Sequence, residues 1–142
     1  EARNGKQYDI RSFKVAKFSK GCAGTQIDGI GCVYVLPSYS PLDTTKEENK
    51  KFDKYAEREN YLAGAKKACD DLGMSLPDWE KLRNIHLLGQ KSPSLDLPTD
   101  GWFWSQSEYY FGTATTVYFG NQDSWYNARK NDSSNNVLCI GN

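Results

Sequence analysis

Apolar positions along this chain follow two spacings, and the change between them predicts its elements. Tyr8, Ile10, Phe13, Val15 and Phe18 recur every two or three residues, with β-branched and aromatic members. That predicts a strand broken near Ser12. Cys32-Val33-Tyr34-Val35-Leu36 predicts a second strand, ended by Pro37. Between them, Gly21 to Gly31 is glycine-rich and predicts a loop, across which the two strands are expected to pair. From Leu62 the spacing becomes helical: Leu62, Ala65, Cys69 and Leu72 recur at three and four, and Gly73 stands at the C-terminal cap. Cys69 falls on the apolar face. A second helix is predicted after Leu76-Pro77. There Asp78 accepts from the first free N–H groups and Glu80 suits the positive end of the dipole. Its stripe is Trp79, Leu82, Ile85 and either His86 or Leu88, and Gly89 is expected to end it. The last third returns to short strands: Trp102-Phe103-Trp104, Thr115 to Phe119, and Val137-Leu138-Cys139-Ile140.

The intervening stretches are polar. Residues 1–7 read as a frayed terminus. Residues 37–45 form a loop, and 46–60 are a charge run read as a solvated helix face or mobile loop, with no function assigned. Residues 90–100 are a loop interrupted by Pro93 and Pro98. The segment between Phe119 and Val137 is long and polar, with Trp125 and Tyr126 inside it. A loop of that length in a compact domain is functional or disordered. The aromatics favour function, because Tyr and Trp with Ser, Gly and Asn are what binding surfaces use. Trp102, Trp104 and Phe119 are assigned to the core. Leu62, Ala65, Leu72, Trp79, Leu82, Trp104 and Val117 are expected to be buried together where the helices lie on the sheet.

Length and composition narrow the classes. A chain of 142 residues fits one domain with a real core. Eighteen basic and eighteen acidic residues cancel, and no basic stripe stands out, which argues against a nucleic-acid partner. No apolar run is long enough to span a bilayer. The start at Glu1, not Met, suggests a trimmed or mature chain whose leader or anchor cannot be read. The four cysteines, Cys22, Cys32, Cys69 and Cys139, include no Cys-x-x-Cys pair, and His86 is the single histidine. Tetrahedral zinc wants clustered ligands, so no metal is expected. A lone helical histidine is read as packed or exposed, not as a ligand or base. Two disulfides in an oxidising compartment fit the cysteine count, and three pairings exist. The pairing adopted is Cys22–Cys32, which closes the glycine-rich loop, with Cys69–Cys139, which ties the middle of the chain to its end.

Two early strands, two consecutive helices and a short-strand tail closed by a cysteine resemble the C-type lectin-like fold. Ala65 to Gly73, followed by Leu76-Pro77-Asp78-Trp79-Glu80-Lys81-Leu82, is similar to the "A…C..LG..LP…EL" block of one bacterial branch. That branch holds major-paralogous domains, collagen-like adhesin C-terminal domains and retroelement-diversified variable proteins. Trp104-Ser105-Gln106-Ser107-Glu108-Tyr109 resembles its "WSSSEY" motif, and Thr116-Val117-Tyr118-Phe119 with Val137-Leu138-Cys139-Ile140 resembles its ending. Leu138 stands where Arg is frequent and Asp78 where Thr is usual. The placement of Cys69 and Cys139 is also family-like. The resemblance implies an α+β, C-type lectin-like fold: two helices packed on short antiparallel β-sheets, stapled by disulfides. It covers residues 59–142, with 1–58 as N-terminal strands and a variable insert of the same single domain. The calcium-dependent sugar motifs of animal relatives are absent, and Asp123 and Asp132 are too loosely arranged for a calcium site.

The functional expectation is an extracellular or cell-surface binding and adhesion module, bacterial or phage. It would take a protein or glycan ligand, need no cofactor or calcium, and resemble a sequence-diversified receptor. Tyr109, Tyr110, Tyr118, Asn121, Asp123, Trp125, Tyr126, Asn127 and Arg129 are expected to share one exposed, ligand-binding surface. The alternative is a structural subunit such as a minor pilin or fibre-tip protein in a pilus or surface assembly. An enzyme of formylglycine-generating type is the weaker reading. Asp70 and Asp71, like Glu47 and Glu48, are sequence neighbours, and neighbours on a helix do not face each other. No catalytic residue is assigned.

Overall fold

The computed structural model describes residues 22–141. The strand expected over 8–18, and its pairing with the next strand, lie outside the described residues. The remainder is an α+β arrangement of two helices and two three-stranded antiparallel sheets, held by two disulfides. In chain order the elements are β1 (Thr25–Ile27), β2 (Gly31–Val35), α1 (Tyr61–Asp71), α2 (Trp79–Lys91), β3 (Trp102–Glu108), β4 (Thr113–Tyr118), β5 (Trp125–Arg129) and β6 (Leu138–Gly141). One sheet has the order β1-β2-β6, the other β3-β4-β5. The glycine-rich stretch is thus not all loop. It supplies β1, which forms a hairpin with β2. Cys22 bonds Cys32 beside that hairpin, with Cα atoms 5.6 Å apart. The last strand returns to the first sheet when β6 pairs with β2.

α1 begins at Asn60, whose side-chain oxygen accepts from the Ala63 N–H at 2.9 Å. It ends in a Schellman motif: the Met74 N–H donates to the Cys69 carbonyl and the Gly73 N–H to the Asp70 carbonyl, both at 2.9 Å. Gly73 adopts φ +70, the left-handed conformation that motif requires. Leu72 therefore falls beyond the last turn and is 50% exposed, not in the core as the spacing predicts. Asp78 caps α2 through the Lys81 N–H at 2.8 Å. The helix runs through Gly89 to Lys91, and Pro93 bounds it instead.

The sheet β3-β4-β5 has helix α2 on one face and α1 on the other, so the core is two clusters. Leu82 and Ile85 of α2 pack with Phe103, Val117 and Phe119, and Trp79 lies half-buried at the edge. Leu62, Ala65 and Cys69 of α1 pack with Trp104, Ala114, Ala128 and Cys139. The seven expected core residues are thus not one group. Leu82 and Val117 belong to one cluster, with Trp79 at its edge; Leu62, Ala65 and Trp104 belong to the other. The Cys69–Cys139 bond, Cα atoms 5.4 Å apart, fixes α1 to β6. The charge run 46–60 holds a short 3-10 turn at Glu47–Asn49 and is otherwise irregular. Its buried Asn60 donates to Asp53, also buried, and to the buried Thr44 of the preceding loop, which in turn accepts from the Glu57 N–H.

Candidate functional site

Residues opposed across a strand pair share a face. In β4 and β5 the opposed pairs are Thr113 with Arg129, Ala114 with Ala128, Thr115 with Asn127, Thr116 with Tyr126, and Val117 with Trp125. Trp125, Asn127 and Arg129 therefore stand on the α2 side of the sheet. Tyr126 points to the other side, with Tyr118 and Trp102. The nine residues expected on one surface are divided by this alternation.

The α2 side carries the most organised group. Trp125 is 49% exposed, its ring centroid 5.5 Å from that of Trp79. The Arg83 guanidinium lies 5.7 Å from the Trp125 ring centroid. Arg83 is itself clamped by Asp123: Nε donates to Oδ1 at 2.9 Å and Nη2 to Oδ2 at 2.6 Å. The fork holds the Asp123 carboxyl below the usual carboxylate range and raises the Arg83 guanidinium. Thr115 Oγ1 donates to Asn127 Oδ1 at 2.8 Å, and among the described residues the Asn127 amide N–H groups meet no acceptor. Arg129 is exposed at the far end of the strand, and Asn121 is exposed in the β4–β5 turn. Trp79 and Arg83 belong to this group, though sequence reading assigned one to the core and passed over the other. Their spacing of four on α2 was the available signal.

Elsewhere, Tyr126 packs edge-on against Trp102 at 4.7 Å, and Trp102 lies 5.0 Å from Tyr118. Tyr126 Oη donates to Asp132 Oδ2 at 3.1 Å. Burial and then the Asp132 charge raise the Tyr126 phenol. Burial alone would raise Asp132, but hydrogen bonds from Ser134 and Tyr126 outweigh it and lower its pKa. Tyr109 and Tyr110 lie at the β3–β4 turn with Phe111, each of the three more than 60% exposed. Trp125 is four residues up the ladder from that end of β4, about 14 Å at ordinary strand rise.

His86 is buried, with Nε2 2.8 Å from the Gly120 carbonyl oxygen and its ring against Phe119. It is a packed residue between α2 and the end of β4. All four cysteines are in disulfides. Among the described residues no three His, Cys, Asp or Glu side chains converge as metal ligands, and no helix is long and apolar enough to cross a membrane. The disulfides are compatible with a secreted or extracellular protein. No family model, no curated protein and no solved structure matches this chain.

Proposed function

We propose that this chain is an extracellular binding module of C-type lectin-like fold, engaging a protein or glycan ligand through the Trp125 platform without calcium. The order of elements supports that fold: a hairpin, two helices, a short-stranded sheet and a last strand tied back by Cys69–Cys139. One observation carries the functional reading. A half-exposed indole is held against Trp79 and beneath an Arg83 that is locked by Asp123. Side chains already fixed lose little entropy when a ligand arrives. Trp and Arg are also the residues that dominate interface energies. The Asn127 amide and Arg129 supply hydrogen bonds around the apolar surface. The formylglycine-generating alternative needs a reactive thiol, and every cysteine here is bridged.

Glycan and protein arrays probed with the wild-type chain and with Trp125→Ala test this. Ligands held by the platform should weaken by about 2 kcal/mol or more in the variant. The melting temperature should move little, since exposed substitutions cost within about 0.5 kcal/mol. Chelator should leave binding intact. Unchanged binding in the variant, or loss of the fold itself, would place the site elsewhere.

A further inference from the structure

The charge run 46–60 hides a second piece of chemistry on the other side of the sheet. Lys130 follows β5, and its side chain is 0% exposed. Its Nζ lies 3.0 Å from Oδ1 and 2.9 Å from Oδ2 of Asp53, itself 4% exposed. Near-equal distances to both oxygens put the carbon between them at roughly the 3–3.5 Å from which bonds form. Glu108 Oε1 is 2.6 Å from the same Nζ. Asn60 Nδ2 donates to Asp53 Oδ2 at 2.8 Å, and the Tyr55 N–H donates to Oδ1 at 3.2 Å. The Tyr55 ring covers Nζ at 5.3 Å, and Phe111 packs edge-on against that ring. A nucleophile, an acyl carbon to be attacked, a second carboxylate touching the nucleophile and a donor on each oxygen of the attacked carboxyl are therefore assembled in a site closed to water on one side. Glu108, 39% exposed, forms the other side together with Lys66 at 3.8 Å.

From this geometry we infer that Lys130 and Asp53 condense into an intramolecular amide bond, with Glu108 carrying the protons. One ammonium proton passes through Glu108 to Asp53, leaving a neutral amine and a neutral carboxylic acid. The Nζ lone pair adds to Cγ; the N–C bond forms, and the carbonyl π pair moves onto Oδ2, where Asn60 donates. Glu108 takes a second N–H proton and gives it to the Asp53 hydroxyl. The π bond re-forms, the C–Oδ1 bond breaks, and water leaves with two hydrogens that began on Nζ. The third hydrogen remains on the amide, and Glu108 is again a carboxylate. Nothing is oxidised or reduced and no co-reactant is needed. The driving force is the removal of two buried charges, each expensive to hold away from water. Water departs past Glu108, where the site opens into a groove lined by Lys54, Lys66 and Phe111. The product ties the 46–60 segment to the sheet independently of either disulfide.

Mass spectrometry of the purified, folded chain after disulfide reduction tests the bond. We expect a mass lower than the sequence value by one water, about 18 Da. Trypsin should yield one branched peptide joining the Asp53 segment to the Lys130 segment, with no cleavage after Lys130. Glu108→Gln should show the full mass and a wild-type circular dichroism spectrum. A full mass for the folded wild-type chain overturns the inference. So does a one-water deficit with ordinary cleavage after Lys130, which would place the loss elsewhere, for example in a succinimide at Asp28-Gly29 or Asp100-Gly101. A Glu108→Gln variant that forms the bond at the wild-type rate would remove Glu108 from its role.

Discussion

Tyr39 shows how one hydroxyl joins distant parts of the chain. Its Oη donates to the Asn135 carbonyl at 2.7 Å and accepts from Trp104 Nε1 at 3.0 Å. Burial disfavours the phenolate and pushes the Tyr39 pKa up to about 12. The neutral form is therefore the one the fold stabilises. Its contribution is whole below the ordinary tyrosine value of 10.0 and is lost as pH rises through about 12. Tyr39→Phe leaves the buried Trp104 N–H without an acceptor, which should cost about 1–3 kcal/mol at neutral pH. It should also flatten the alkaline loss of stability. Urea titrations of both proteins at pH 7 and at pH 11 check this; a variant as alkali-sensitive as wild type would give the loss to another group. Tyr39 carried no sequence signal, because it lies in a stretch read as loop. Trp125 did carry one, an indole in a polar setting, but its partners Trp79 and Arg83 lie on a different element.

Among elements, α1 depends on a close approach that its apolar stripe does not reveal. Gly64 sits on the helix face against the Ser40 carbonyl, and a Cβ there would fall inside van der Waals contact of that oxygen and of the Pro41 backbone. The residues met are backbone and cannot rotate away. Gly64→Ala, although favourable to an isolated helix, should therefore destabilise the protein by about 1–3 kcal/mol. A raised melting temperature would show that the 37–45 segment yields instead. β5 is the opposite case, an element the pattern concealed. Its Trp-Tyr-Asn-Ala-Arg sequence buries only Ala128, because it is an edge strand with one residue under the sheet. No alternation of apolar and polar residues announces such a strand. What makes it one is its ladder to β4.

In the whole molecule, the long-range ties set the stability. Cys69–Cys139 closes a loop of 70 residues and joins α1 to the last strand. A loop of that length contributes about 4 kcal/mol in the chain-entropy model. The Cys69→Ser, Cys139→Ser double variant should lose about 2–5 kcal/mol. The loss should appear as a lower denaturant midpoint, without a change in the ligands bound by any molecules that remain folded. A loss under 1 kcal/mol would mean that other contacts already hold α1 on β6. The two-sided sheet has a further consequence. Among the described residues each core cluster is closed by one helix, and the candidate platform is the margin that α2 leaves open around Trp125.

Both helices and their caps at Asp78 and Gly73, the strands β2, β4 and β6, and the use of the cysteines as two bridges are local features legible in the residues alone. Those follow from periodicity, propensity and composition, which act over a few residues. Features that depend on register and on contact between distant elements were set by the packing of the whole fold. Strand alternation sent Tyr126 away from Trp125, and the helix end left Leu72 in solvent. α2 brought Arg83 to Asp123 across 40 positions, and an unremarkable charge run delivered Asp53 to Lys130 across 77. A buried charge pair is built from residue types that are ordinarily exposed, so no local pattern distinguishes Asp53 or Lys130 from their solvated neighbours.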